Sequence, residues 1–203
     1  PPIKQKLLAG KKQPRDETPK HGSPIFTQVA NKIIASAHQT LSSAADYFQR
    51  HQISALILGD TVTGESREIA KGYAALVKEI RFHPQWLKAP IALLSGGETT
   101  VTIKGEGRGG RNAEFLLSLL IELAGMADVY ALACDTDGID GTENNAGAVI
   151  TPDSLMRAQQ LGLSAQIFLD NNDAYTFFQQ LNDLVMTGPT YTNVNDYRAI
   201  LVL

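Results

Sequence analysis

The sequence predicts an α/β fold with helices layered on both sides of a sheet, α/β/α. Three observations carry this. Apolar runs of helical and strand-like period alternate along the chain. Several strand-like runs end in glycine-rich loops, where open α/β sheets place their ligands. Hydrophobic residues make up 43% of the 203, enough for one sizeable core or for one and a half smaller domains.

The chain opens Pro1-Pro2 with no methionine. Residues 3–22, IKQKLLAGKKQPRDETPKHG, are polar and punctuated by Pro14 and Pro19. This reads as the middle of a longer protein, entered at a linker or loop. NKIIAS (31–36) is a short β-branched run, a strand. HQTLSSAADYFQRH (38–51) places Leu41, Ala44, Ala45 and Phe48 at helical spacing. ISALILGD (53–60) is a continuous apolar run ending at a glycine, a buried strand. GESREIAKGYAALVKEI (64–80) is helical, with Glu65 at the end where the helix dipole favours an acid. HPQWLKAP (83–90) breaks the pattern, and a domain boundary is placed there, dividing 1–85 from 86–203.

Beyond it, strands are expected at 91–94 and 99–104 around Gly96-Gly97. A strongly apolar helix follows at 111–125, closed by Gly125. DVYALACD (128–135) is a buried strand. Helices at 153–162 and 171–181 start from Asp153 and from Asn172 or Asp173. YRAILVL (197–203) is a last strand.

Composition narrows the function classes. A net charge of −3 with 19% charged residues argues against a nucleic-acid partner. No apolar run approaches the roughly 20 residues of a membrane helix. A single cysteine excludes an internal disulfide framework and fits a reducing, cytoplasmic setting.

The chemistry sits in the loops. GEGRGGRN (105–112) carries Gly105, Gly107 and Gly110 at G-x-G-x-x-G spacing, with Arg108 and Arg111 between and after them. Glycines, Gly109 included, let a backbone approach a ligand and present N–H groups to an anion. A helix beginning at Arg111 aims its positive end at the loop, and the arginines add forks suited to phosphoryl oxygens. A phosphate site, a dinucleotide turn with Asp135 as its acid, and a structural hairpin turn all remain open. Asp135, Asp137 and Asp140 crowd DTDGIDG; three carboxylates there suit Mg²⁺ or a cluster of Asx-turns. Glu98, in SGGETT behind Gly96 and Gly97, could cap, orient an arginine or act as a base. TGPTYTNVND (187–196) offers Thr190, Asn193 and Asp196, small polar groups suited to a sugar-acid pocket. The four histidines lie in the first half of the chain, away from these loops, so a nucleophilic hydrolase is set aside.

Together, LLSGGETTVTIKGEGRGGRNAEF, DTDGIDGTENNAGAV and TGPTYTNVND resemble the C-terminal MOFRL domain of the class II glycerate kinases. GESREIA and its preceding strand and helix resemble the end of that family's larger N-terminal domain. The resemblance covers essentially the whole chain. It implies a truncated Rossmann-like tail over 1–85 and a MOFRL domain over 86–203, with the active site in the cleft between domains. It also implies phosphorylation of D-glycerate by ATP, with Mg²⁺, to 2-phosphoglycerate. The GGRN arginine falls on Arg111 as the catalytic candidate; a functional lysine attributed to the family belongs to the absent N-terminal half.

On that reading Arg111, with Arg108, Asn112 and the loop glycines, handles phosphate. Glu98 and Glu114 orient arginine or substrate, and Asp137 and Asp140 organise Mg²⁺. Thr190, Asn193 and Asp196 line the substrate pocket. The chain alone is expected to be inactive, and a homo-oligomer is compatible with it. Tyr191 departs from the glycine common in relatives and would narrow the pocket. Family members have also been named hydroxypyruvate reductases, so a nicotinamide-dependent reductase is the rival, with a non-catalytic binding module as a third reading. Hydride transfer needs a general acid, often histidine, and none lies near these loops.

Overall fold

The computed structural model describes residues 2–13, 18–85 and 87–203. They divide into two units, Pro1–Ile34 and Ala35–Leu203. The first holds a helix, α1 (Pro2–Lys12), and a 3-10 turn at Pro24–Phe26. A helix stands where a polar linker was expected. Lys, Gln, Leu and Ala are good helix formers, and Pro2 sits where a proline is tolerated, at the first helical position. Pro14, one of the two prolines behind the linker reading, lies outside the described residues.

The second unit is one six-stranded sheet with helices on both faces. Its strands are β1 (Ser54–Val62), β2 (Ile91–Gly97), β3 (Val129–Asp135), β4 (Gly147–Ile150), β5 (Leu184–Val185) and β6 (Asp196–Val202), in the order β1-β2-β6-β3-β4-β5. β1 and β2 pair in parallel; every other ladder is antiparallel. Helix α2 (Ala37–Arg50) covers one face, with Leu41 and Ala45 packed against Ala92, Leu94 and Ala199. Helices α3 (Ser66–Phe82) and α4 (Arg111–Leu123) cover the other. Tyr73, Val77 and Ile80 of α3 share a core there with Phe115, Leu116 and Leu119 of α4 and Leu93 and Ile200 of the sheet. Helices α5 (Ser154–Gln160), α6 (Ala165–Asp170) and α7 (Ala174–Leu181) extend that layer.

The α/β/α class is what the sequence implied, and α2, α3, α4, β1, β2, β3 and β6 lie where their periods placed them. The boundary set near residue 85 falls inside this unit, between α3 and β2, and the sheet runs across it through the β1–β2 ladder. Trp86, within the expected break, lies outside the described residues.

Four local readings fail. Residues 31–36 form no strand, and Ile33 and Ile34 are exposed, because the run meets no sheet edge. Residues 99–104 form an arm rather than a strand. β2 ends at Gly97, whose φ of +110° turns the chain, and a single bridge joins Thr100 to Glu65. Helix α4 closes on Ala124, at φ +52°, one residue before Gly125. Asp153 and Asp173 stand at the N-cap positions of α5 and α7 without bonding the helix N–H groups. Strands β4 and β5 and helix α6 were not anticipated.

The topology gathers the loops at one edge. The C-terminal ends of β1, β2 and β3 and the start of β6 lie together there, with the N-terminus of α4 beside them.

Candidate functional site

Arg111 is the hub of that edge. Its Nε–H donates to Asp196 at 2.8 Å, Nη2 to Asp135 at 2.6 Å and Nη1 to Glu98 at 3.2 Å. The three acids differ in setting. The Asp196 side chain is fully buried, that of Asp135 is 7% exposed, and that of Glu98 is 57% exposed. Burial works against the guanidinium charge, but Asp196, Asp135 and Glu98 outweigh it and hold the group above its ordinary range. Burial pushes the Asp135 carboxyl up, with the Asp137 N–H and Arg111 opposing.

Asp196 is itself shared. Its Oδ1 also accepts from Asn112 Nδ2 at 2.9 Å, and its Oδ2 accepts from Arg198 at 2.5 Å. Arg198 is buried over the Phe115 ring. An arginine inside the apolar strand YRAILVL was the signal for this partner, and the sequence reading passed over it.

The N-terminus of α4 is capped from within. Asp140 accepts N–H bonds from Asn112 at 3.0 Å and Ala113 at 2.8 Å. It is buried, and burial pushes its carboxyl up to about 6 against those donors. The helix end read from the sequence as a phosphate cradle therefore already holds a carboxylate on two of its N–H groups.

The glycine loop is held in the same way by residues 171–173. Lys104 and Gly105 donate to Asn172 Oδ1, Glu106 to Asn171 Oδ1, Gly107 to the Asn171 carbonyl and Arg108 to Asp173. A Cβ on Gly105 would stand 2.3 Å from the Asn171 carbonyl oxygen, one on Gly107 2.3 Å from Asp173 Cβ, and one on Gly110 2.4 Å from Asp140. These glycines admit the protein's own chain. The three N–H groups that follow, on Gly109, Gly110 and Arg111, have no acceptor among the described residues. Those residues line a cleft of about 360 Å³ together with Thr99, Val101 and Arg108. Arg108 lies 4.7 Å over the Tyr175 ring and 3.3 Å from Glu143.

Residues 91–196 match the MOFRL family. The chain belongs to the MOFRL family. A D-glycerate 2-kinase of Thermotoga maritima is 36% identical over 180 residues, covering 89% of this chain and 42% of that protein. A protein of Agrobacterium vitis provisionally named a hydroxypyruvate reductase is 46% identical over 191 residues, covering 92% of this chain and 42% of that one. The crystal structure of the Thermotoga maritima glycerate kinase superposes with a TM-score of 0.80 at 31% identity, over 97% of this chain and 49% of that one. The chain thus spans under half the length of these MOFRL relatives.

Within this MOFRL chain several residues singled out for the site turn out to be supports. Glu114 lines the cleft and does hold an arginine, Arg67 at 2.8 Å, along with Asn172 at 2.9 Å. Asn112 is wholly buried between Asp140 and Asp196. Gly96 and Gly97 let β2 press against its neighbours: a Cβ would meet the Asp196 carbonyl at 3.2 Å or the Val62 carbonyl at 2.2 Å. Asp196 has both oxygens engaged inside the fold. Thr190 donates to the Thr136 carbonyl, and Asn193 donates to Asp137 at 3.2 Å, so both stitch one loop to another. Tyr191 is 99% exposed at φ +58° and lies outside the Gly109–Arg111 cleft. Asn171, Asn172, Asp173, Arg67 and Arg198 were missed; NND before a helix read only as a cap.

Asp137 and Asp140 do not form a metal pair. Both Asp140 oxygens are taken by α4 donors, and Asp137 accepts from Ile139 N–H on one oxygen and Asn193 on the other. No cluster of three or more His, Cys, Asp or Glu suited to a metal occurs among the described residues. Burial pushes the Cys134 thiol up to about 12, so it is no nucleophile.

Proposed function

We propose that this chain is the phosphate-handling part of an ATP-dependent glycerate kinase that converts D-glycerate to 2-phosphoglycerate. The remaining groups, and the other wall of the cleft, come from the portion of its relatives' length that it does not match. Alone, the chain is expected to be inactive. The observation that carries the reading is the cleft wall at Gly109–Arg111. It combines three backbone donors without protein acceptors and a guanidinium fixed by buried Asp135 and Asp196.

Phosphoryl transfer asks mainly for position and positive charge. As the glycerate hydroxyl oxygen bonds to the γ-phosphorus, its proton passes to solvent, the bridge to the β-phosphate breaks and ADP leaves. Negative charge spreads over the transferring oxygens. Backbone donors and Arg111 held in place beforehand stabilise that charge without reorganising. Residues 137 and 140 do not fit a protein-built magnesium site, so Mg²⁺ is assigned to the nucleotide phosphates, which commonly carry it.

The reductase reading is favoured by the names of two relatives and not by the geometry of the loop. A dinucleotide fingerprint follows a strand directly and leaves its glycines free for pyrophosphate. Here the loop follows an arm, its glycines face residues 140 and 171–173, and Asp135 is bonded to Arg111.

The test assays the complete gene product in two arms: Mg-ATP with D-glycerate, the phosphoglycerate isomers separated by NMR, and hydroxypyruvate with NADH or NADPH. Formation of 2-phosphoglycerate supports the proposal; nicotinamide oxidation with a silent first arm overturns it. Replacing Arg111 with Ala is expected to lower kcat by about 10²-fold or more, the usual cost of one preorganised charge-stabilising group. Near-normal turnover in that variant would remove Arg111 from the mechanism.

A further inference from the structure

We propose that Glu98 is a displaceable counter-ion of the cleft: it holds the Nη1 corner of Arg111 until a phosphoryl group of the ligand takes its place. The inference rests on the phosphate-site reading above and adds a regulation of that site.

The three acids on Arg111 are not equivalent. Asp196 cannot leave, because its carboxylate also holds Asn112 and the buried Arg198. Asp135 makes the shortest contact, is almost fully buried, and accepts the Asp137 N–H on its other oxygen. Glu98 has the longest contact, an exposed side chain and no other side-chain partner among the described residues. Its backbone is nevertheless fixed, since its N–H donates to the Val62 carbonyl at 2.9 Å. The side chain can therefore swing out while its anchor stays.

Charge points the same way. Arg111 and Arg198 balance Asp135 and Asp196, so Glu98 adds negative charge to a hub that Asp137 and Asp140 already border. An incoming anion must compete with it for the Nη1 corner. Exposed ion pairs are weak. A phosphoryl group that also reaches the Gly109–Arg111 N–H groups offers several charge-assisted bonds in exchange for one. Glu98 thus sets a threshold: polyanions displace it, and small weakly charged ligands do not.

The test titrates inorganic pyrophosphate into the full chain and into Glu98→Gln. Calorimetry gives the affinity, and the amide shifts of Gly109, Gly110 and Arg111 report the location. Because Glu98 is exposed, the variant should keep its fold, which circular dichroism checks. Pyrophosphate is expected to bind the native chain with shifts at 109–111, and Glu98→Gln is expected to tighten it by about two- to fivefold, as the loss of one exposed ion pair allows. Binding at 109–111 with equal or weaker affinity in the variant overturns the counter-ion role and leaves the phosphate site standing. Absence of binding in both proteins, or shifts confined elsewhere, overturns both.

Discussion

Asp140 shows how one residue can carry a function that its neighbours only suggest. Its carboxylate caps α4 through Asn112 and Ala113, and that helix begins with Arg111. The cap is buried, and burial raises its carboxyl from an ordinary 3.8 to about 6. Between those values the folded chain holds a proton that the unfolded chain has lost. Stability from this group is therefore fully present below about pH 4 and is lost as pH rises through 6. Asp140→Asn removes the titration. Urea unfolding at pH 7 and pH 5 should show the native chain gaining about 1 kcal/mol relative to the variant on acidification. Comparison with the variant cancels Asp135, whose carboxyl is raised as well. A gain of the opposite sign would mean that the carboxylate form is the one the fold favours. Lost N–H bonding at the cap would also loosen Arg111, since its helix and its guanidinium share this corner.

At the scale of elements, the arm and glycine loop (98–110) depend on a segment far along the chain. Residues 171–173 supply acceptors for the N–H groups of 104–108 in succession. Gly107→Ala should break that seam, because the new Cβ would sit 2.3 Å from Asp173 Cβ and 2.6 Å from the Asn171 carbonyl oxygen. Overpacking of this kind costs about 1–3 kcal/mol. Gly72→Ala, within α3 and with nothing near its would-be Cβ, is the contrasting case. There a gain of about 0.5–1 kcal/mol is expected from helix propensity. Thermal unfolding of the two variants should therefore shift in opposite directions; a neutral Gly107→Ala would mean that the loop is not held by 171–173.

This seam also marks how far the sequence could be read. Long periodic elements such as α3 and α4 and the apolar runs of β1 and β3 declare themselves locally. The glycine loop declares that something must come close, but not what; proximity to Asn171 or Asp140 is a tertiary fact. Arg111 stood out in the sequence as a fork beside a glycine loop, and its three acid partners came only with the fold. The partners of Glu114 and Asn112 were not legible, because Asp140, Arg67 and Asn172 reach this helix start only through the tertiary fold. The strand expected at 31–36 failed for the converse reason: β-branched residues propose a strand, but only a neighbouring edge makes one.

Taken whole, the larger unit is held by layers that disregard the break near residue 85. α3 comes before it and α4 after it, yet Tyr73, Ala74, Val77 and Ile80 are buried in one core with Phe115, Leu116, Leu119 and Leu120. β1 is the parallel neighbour of β2, and α2 shields Ala92 and Leu94 on the opposite face. Ser66 Oγ donates to the Arg111 carbonyl at 2.5 Å, so α4 is tied to α3 at its first turn. A polypeptide starting at residue 86 contains the whole family match and all three acids on the Arg111 guanidinium, yet it lacks α2, β1 and α3 with Ser66. Removing them exposes apolar side chains on both sheet faces, each costing about 1.5–3 kcal/mol. Such losses exceed the 5–15 kcal/mol margin of a typical domain. The 86–203 polypeptide is therefore expected to lose near-ultraviolet circular dichroism and to bind ANS, whereas the 35–203 polypeptide retains a cooperative unfolding transition. A rigid, cooperatively unfolding 86–203 polypeptide would instead place a true domain boundary at the break and make α2, β1 and α3 dispensable to the position of Arg111.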